Sequence, residues 1–347
     1  MAGLYPTVKL VEVQQQFKTL PAFYLTFFGR QINFEEDKIA FDKVSVNYKR
    51  LAPFVAPNVQ GRVIREKGFR RESFSPAYVK PKHVVDPTLI IPVQPGEQPG
   101  TGTKTLAQRR AAVVTHLLRV QKTMVENRCE WMAAQAALFG YVDVEGEDYP
   151  KTRVDFGRDP SLTVTTDWSA GATPTPLKDI YAARKNANDK SMAGVTISQI
   201  LFGQEAWDMF YAAEKATLKD LMDKNQGGSR SEVTKLWDGF EGVEYLGSIS
   251  GSEGGGRLDF FLNTQKYTAA DGTSQYLQPQ NSVHGISPAI DGVRCFGAIM
   301  DADAGYQPMM NYPKNWKSDD PSVEYLMTQS APLMVPGDPN ASFLILA

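Results

Sequence analysis

Three histidines, two cysteines and one short acidic pair are the side chains here whose types could do chemistry, and their spacing argues against it. His83, His116 and His284 stand alone. None falls in an HExxH or HxH arrangement, which would bring two imidazoles to one metal or an acid beside a base. In DAD, Asp301 and Asp303 could hold a hard cation and support a metal-dependent hydrolase. Without a third carboxylate or EF-hand spacing they read instead as a polar loop. GSEGGG (251–256) lacks the Lys-Ser/Thr and the strand-to-helix setting of a phosphate loop and reads as a flexible turn. Cys129 and Cys295 are far apart and not in CxxC spacing, which disfavours a disulfide scaffold or zinc site and suits a reducing cytoplasm; both are expected to be buried. No GxSxG or kinase signature appears. The reading is of a non-enzyme that needs no cofactor.

The elements that would position functional residues are more informative. A chain of 347 residues, 42% hydrophobic and 22% charged, favours two domains or one large elaborated one. A formal net charge of −2 gives no global basic field, so any DNA contact would be local, weak and sequence-independent. No signal-peptide pattern opens the sequence and no run of apolar residues is long enough for a membrane span, so export by a cleaved signal and membrane embedding are not expected.

An aromatic cluster, FYLTFFG, with Phe23, Tyr24, Phe27 and Phe28, sits on an N-terminal arm and must dock on the body or on a neighbouring subunit. From Lys43 to about Ile91 the chain is extended and proline-punctuated, predicting a two-stranded, hairpin-like excursion, basic over GRVIREKGFRRE and stiff over FSPAYVKPKH. Such an arm is marginal alone and becomes ordered by lying on something. After the breaker QPGEQPGTGT, no Gly or Pro interrupts Thr105 to Phe139; this predicts one long helix, capped by Thr103 or Thr105 and stopped by Gly140. Its apolar stripes include Leu106, Val113, Leu118, Met124, Val125 and Met132. The opposite face, with Arg109, Arg110, Arg119, Lys122 and Arg128, reads as a solvated surface, with a surface facing an anionic partner as the functional alternative. Beyond it come strands YVDVEG and RVDFG, a loop RDPSLTVTTDWSAGATPTP, helices PLKDIYAARKNAND and GQEAWDMFYAAEKATLKDLMDK with strand VTISQILFG between them, and short strands. The C-terminus reads as two strands joined by PGDPN, the last buried in a sheet.

Two stretches then identify a family. FVAPNVQGRVIREKGFRRESFSPAYVKPKHVVDP and the run from RCFGAIMDADAGYQPMMNYPKNW to QSAPLMVPGDPNASFLILA resemble the major capsid protein E family of lambda-like tailed phages, most specifically in SPAYVKPKH, DADA, YPKNW and QSAPLM. The resemblance implies an α+β fold of the Hong Kong 97 capsid type. Its parts would be an N-terminal arm (1–42), an extended β-hairpin loop (43–103), a peripheral domain (104–189 and 311–347, with spine helix 104–140) and an axial domain (190–310).

The function it implies is self-assembly as hexamers and pentamers into an icosahedral shell that forms around scaffolding protein, receives double-stranded DNA through a portal and expands. A decoration protein is a further partner in this family. Localisation would be the virion, after assembly in the host cytoplasm. A tail or baseplate subunit is the alternative structural role, and would form tubes or rings.

Within that frame Arg62, Arg65, Lys67, Arg70, Arg71, Phe74, Tyr78, Lys80 and Lys82 of the arm are candidate contacts to an adjacent subunit. Tyr312 and Trp316 of YPKNW are also candidates, with a structural corner as the alternative. A lysine-to-asparagine crosslink, as in some members of the wider fold, could be imagined for Lys80 or Lys82 with Asn340, but the branch resembled here holds its shell noncovalently.

Overall fold

The computed structural model describes residues 5–17, 22–36, 38–43, 70–90, 105–146, 149–169, 174–192, 194–223, 240, 242–249, 257–269, 271–318 and 323–347. The longest helix among the described residues is Leu106–Phe139. Its 34 residues correspond to about 51 Å at 1.5 Å per residue. Thr105 starts it through a reciprocal capping box: its hydroxyl accepts from the Gln108 amide, and the Gln108 side chain accepts from the Thr105 amide. Gly140 ends it in the left-handed region at φ 74°. The predicted limits of 104–140 were therefore close. The predicted apolar face is buried at Val113, Val114, Leu118, Val125 and Met132, but Leu106 in the first turn and Met124 are exposed.

The last turn is anchored by its own open carbonyls, which a helix end leaves unpaired. The Ala137 carbonyl accepts from His284 Nε2 at 3.2 Å, from Ser342 Oγ at 2.8 Å and from the buried Arg158 guanidinium, which also donates to Leu138 and Leu162. A cation at a helix C-terminus complements the macrodipole, while burial lowers the Arg158 pKa to about 10. Alanines at 133, 134, 136 and 137 keep this end thin enough for close packing.

That packing is against a six-stranded sheet in the order Thr163–Thr165, Ser342–Leu346, Ser282–Ile286, Gln199–Phe202, Leu258–Asn263, Val243–Ile249. Helices Pro176–Lys190 and Gln204–Asp223 pack beside it. The apolar C-terminus is a sheet strand, as its composition requires. Two expectations are corrected. The loop RDPSLTVTTDW contains a strand, Thr163–Thr165, because three residues suffice to extend the C-terminal strand in parallel register, Leu344 opposite Thr163. The C-terminal run holds three strands rather than two, Val323–Gln329, Pro332–Val335 and Ser342–Leu346, because the chain changes sheets at Ser330–Ala331.

Pro332–Val335 pairs with Val293–Phe296, whose other neighbour is Arg30–Asn33. Val323–Gln329 is the centre of a second three-stranded sheet between Tyr312–Ser318 and Lys82–Val85. An N-terminal helix, Thr7–Gln15, lies against Tyr312–Ser318 and the long helix. Ile39–Lys43 and Arg70–Phe74 pair antiparallel, the described base of the expected hairpin-like excursion; residues 44–69 and 91–104 lie outside the described residues.

The aromatic cluster docks on its own body. Phe23, Tyr24 and Phe28 are fully buried in the main core. Glu130 accepts the amides of Tyr24 (2.7 Å) and Leu25 (2.8 Å), and Arg294 donates to the carbonyls of Leu25 (2.7 Å) and Phe28 (2.6 Å). Burial pushes the Glu130 carboxyl up to about 7 despite these bonds.

Gly140→Ala tests the helix stop. A side chain there is forced into φ 74°, and its Cβ would overlap Arg158, the group that caps the helix. The expected loss is at least about 2 kcal/mol in urea unfolding. A loss below about 0.5 kcal/mol would show that the close approach is unimportant.

Candidate functional site at the arm root

The side chains that could do chemistry are used for structure. Buried His284 stacks on Tyr24, and its pKa falls to about 3 because burial and the nearby Arg158 both oppose a positive charge. His83 Nδ1 lies 3.0 Å from Gln121 Nε2, and His116 is exposed on the long helix. Cys129 and Cys295 are buried thiols, pushed up to about 12. Among the described residues no three His, Cys, Asp or Glu side chains are grouped to hold a metal. GSEGGG lies outside the described residues.

Asp301 and Asp303 instead hold Lys314. Its ammonium lies 2.9 Å from both oxygens of Asp301 and 2.7 Å from Asp303. Gln329 donates to Asp301 at 3.0 Å, and Asp301 accepts the Asp303 amide to start the turn Ala302–Ala304. Burial would raise the Asp301 pKa, but these donors together hold it below the usual carboxylate range.

This contact belongs to a larger convergence. Tyr78 donates its hydroxyl to the Ala298 carbonyl at 2.5 Å and accepts the Met300 amide at 3.3 Å. Val79 and Ser330 exchange backbone hydrogen bonds of 2.8 and 3.0 Å, and Tyr312 stands opposite Gln329. Ile299, Ala304, Tyr312 and Ala331 form a small buried core with Tyr78 and Met309 packed on it. SPAYVKPKH, DADA, YPKNW and QSAPLM, scattered through the sequence, thus meet at one place, beside the strand Lys82–Val85.

Behind them runs a chain of buried hydrogen bonds. Gln14 Nε2 donates to Thr328 Oγ1 (3.1 Å), which donates to Gln121 Oε1 (2.8 Å); Gln121 Nε2 then reaches His83 and the Leu326 carbonyl (2.9 Å). It joins the N-terminal helix, the strand Val323–Gln329, the long helix and the strand Lys82–Val85. Arg110 makes a two-pronged bond to Glu324 at 2.9 and 2.7 Å, with Asn315 at 2.7 Å from the same carboxylate. Burial would raise the Glu324 pKa, yet these donors lower it.

The basic helix face is therefore not simply a solvated surface. Arg109 is buried, Arg110 is bound, and Lys122 donates to the carbonyls of Gln14 and Phe17 at the end of the N-terminal helix. Arg119 lies over Phe17, and only Arg119 and Arg128 of the five are exposed. A basic stripe alone could not reveal that another helix covers it.

Of the sequence candidates, Arg62, Arg65 and Lys67 lie outside the described residues. Arg70 and Arg71 stand opposite Lys43 and Asp42 in the arm's paired strands, and Phe74 is half-buried against the core. FSPAYVKPKH is not an arm that lacks a core: it lies along its own subunit, with Pro76 and Val85 buried around it. Lys80 sits over the Tyr78 ring, and Lys82 over the stacked rings of Tyr325 and Trp316, with Trp316 half-buried. Tyr312, at 2% exposure, serves the small core, and YPKNW lies in the strand Tyr312–Ser318 rather than at a corner. Asn340 accepts the Asp159 amide and donates to the Lys190 carbonyl. Gln121 and Thr328 were missed, although a glutamine between the buried Leu118 and Val125 is a legible sign of a buried partner.

The sequence matches the phage major capsid protein E family across residues 9–345. It is 30% identical to the P21 prophage-derived major head protein of Escherichia coli O6:H1 strain CFT073 and 30% identical to the major capsid protein of Escherichia phage lambda, covering 97% of both chains in each case. It is 31% identical to the major capsid protein of Enterobacteria phage phi80, over 98% of both. Among solved structures, one described as a prophage capsid protein of E. coli CFT073 superposes with a TM-score of 0.74 at 26% identity, covering 99% of each chain.

Two measurements test this geometry. Thr328→Val keeps the shape but strands Gln14 Nε2 and Gln121 Oε1 in a dry interior, for an expected loss of about 1–3 kcal/mol; an unchanged urea midpoint would remove the relay. His284 has a folded pKa below its unfolded value, so its contribution is complete above about pH 6.5 and declines as pH falls toward 3. The wild type should lose about 1.4 kcal/mol per pH unit from this group over that window, and His284→Gln should lack that part of the slope. Parallel profiles for both proteins would contradict it.

Proposed function

The chain belongs to the phage major capsid protein E family, and from that footing we propose how it builds a shell. Its relatives are named major capsid or major head proteins, and its α+β fold is of the Hong Kong 97 capsid type. It is a capsid protein, located in the virion. A tail or baseplate role finds no support among these relatives.

In our reading, copies associate as hexamers and pentamers into an icosahedral shell, assembled in the host cytoplasm around scaffolding protein and joined to a portal. The shell encloses double-stranded DNA through non-specific contacts, expands on packaging, and offers sites for a decoration protein. Residues 1–42 serve as the N-terminal arm and 43–103 as the extended loop. Residues 104–189 with 311–347 form the peripheral domain, and 190–310 the axial domain, with one sheet taking strands from both.

The observation that carries this reading is the arm root. Four chain segments fix the departure of the excursion with buried hydrogen bonds and ion pairs, a costly arrangement for a loop with no load to transmit. Arg62, Arg65, Lys67, Arg70 and Arg71 are assigned to contacts with carboxylates of an adjacent subunit. Exposed pairs contribute about 0–1 kcal/mol each, so their effect lies in number and repetition.

Lys43 stands opposite Arg70, so an Asn-Gly turn can replace 44–69 without disturbing the strands below. We expect this variant to fold with native-like unfolding but to form no closed shells by electron microscopy when co-expressed with scaffolding protein. Closed shells of normal size and stability would overturn the role given to the arm.

A further inference from the structure

We propose that the outer face of the arm-root sheet is a docking site for a second copy of this chain, whose segment 32–36 supplies the complementary surface. This rests on the shell-forming reading and adds to it a pair of mating surfaces.

Side chains alternate across the sheet. Glu324, Leu326 and Thr328 are buried on the side of the long helix, while Tyr325 and Met327 point the other way. Register sets Tyr325 between Trp316 and Val84, and Met327 between Lys314 and Lys82. Val84 is 45% exposed, and the Tyr325, Trp316 and Met327 side chains are half-buried, so this face is only partly covered within the subunit. Lys82 Nζ lies 3.9 Å from the Tyr325 ring centre, and Lys80 Nζ lies 4.8 Å from that of Tyr78.

The neighbouring carboxylates are already engaged: Glu324 by Arg110 and Asn315, and Asp301 and Asp303 by Lys314. Lys80 and Lys82 have no ion partner among the described residues. The face is thus aromatic and aliphatic with two uncompensated cations, and its partner must bring apolar surface and negative charge together.

The same chain carries that combination. Strand Arg30–Asn33 is exposed throughout and forms the edge of its sheet, and Ile32 is 44% exposed. Glu35 and Glu36 follow, both exposed and without an ion partner among the described residues. Glu35 and Glu36 are adjacent and lie within four residues of Ile32, so two carboxylates and an exposed apolar side chain share one short segment. Docking would cover Ile32 with Val84 and the aromatic rings and set Glu35 and Glu36 against Lys80 and Lys82. The rings would exclude water from ion pairs that are weak when fully solvated.

The test is charge reversal in the full-length chain, co-expressed with scaffolding protein. K80E/K82E and E35K/E36K should each lower the yield of closed shells at least tenfold while leaving the urea midpoint of the soluble subunit unchanged. The quadruple variant should recover to within about threefold of wild type. Either pair assembling normally, or no recovery in the quadruple variant, overturns the mating while the wild-type shells keep the shell-forming reading intact. Failure of the wild type to form closed shells overturns both. Independently of folding effects, Lys82→Cys with Glu35→Cys in one chain should give, on oxidation of assembled particles, a ladder of disulfide-linked multimers on a denaturing gel. A single 38.4 kDa band also overturns the mating.

Discussion

The hydrogen bond from Thr328 to Gln121, 2.8 Å long and fully buried, is the contact on which the arrangement of the subunit turns. Neither side chain can reach water, so each needs its protein partner, and leaving either unpaired costs more than the bond itself contributes. Gln121 can meet that requirement only with Leu326 and His83 in place, and Thr328 only with Gln14. Apolar packing alone would let the long helix slide against the sheet at small cost. The polar chain admits one register, and that register fixes where the strand Lys82–Val85 sits against the long helix. The surrounding core of Leu10, Val85, Val113, Val114, Leu118 and Leu326 supplies affinity between the same elements without that selectivity.

The far end of the helix follows the same logic with charge added. Ala137 offers a carbonyl to Arg158, His284 and Ser342, so the central sheet is registered on the helix by its last turn. About two turns earlier, Glu130 takes the amides at the start of the short helical turn Tyr24–Phe27 while Arg294 takes the carbonyls of Leu25 and Phe28. A negative group at the start of a turn and a positive one at its end complement its dipole. The phenylalanines contribute the burial; the ion-backbone contacts choose the orientation. One helix thereby positions the N-terminal segment, the arm and the central sheet.

What the sequence disclosed follows from which of these forces is local. The helix limits were legible because Thr105, Gln108 and Gly140 act within a turn of themselves. The strands VEYLGSIS, GRLDFFLNT and VTISQILFG were legible because β-branched and aromatic runs between turn residues need no partner to be recognised. The sheet change at Ser330 was not, since nothing in TQSAPLM distinguishes a bend from a continuing strand except the distant Val79 that pairs with it. Nor was the covering of Arg110 and Lys122, because a cation facing solvent and one facing a helix terminus look alike in sequence. At the site, the motif residues were recognised, but their roles as pairs, Asp301 with Lys314 and Tyr78 with Ala298, are long-range and appear only in three dimensions.

The division between buried and exposed apolar groups then bears on assembly. Val84, Ile32, Met300 and Tyr306 are large, exposed apolar side chains, and Tyr306 holds an unfavourable φ of 59° as well. None is needed by the core, and single exposed apolar residues are ordinary on a monomer. Here, however, Val84 and Met300 flank the arm root, which several buried and half-buried polar contacts hold in place. A shell closes only if every subunit presents its contacts at the same angle, because an angular error repeated around a closed surface accumulates. Weak contacts on a rigid base satisfy that demand and remain reversible, so misplaced subunits can leave before closure. Strong contacts on a loose base would do the opposite, trapping each error as it formed. In the proposed shell, a fixed arm root and contacts of modest strength would therefore be two sides of one requirement.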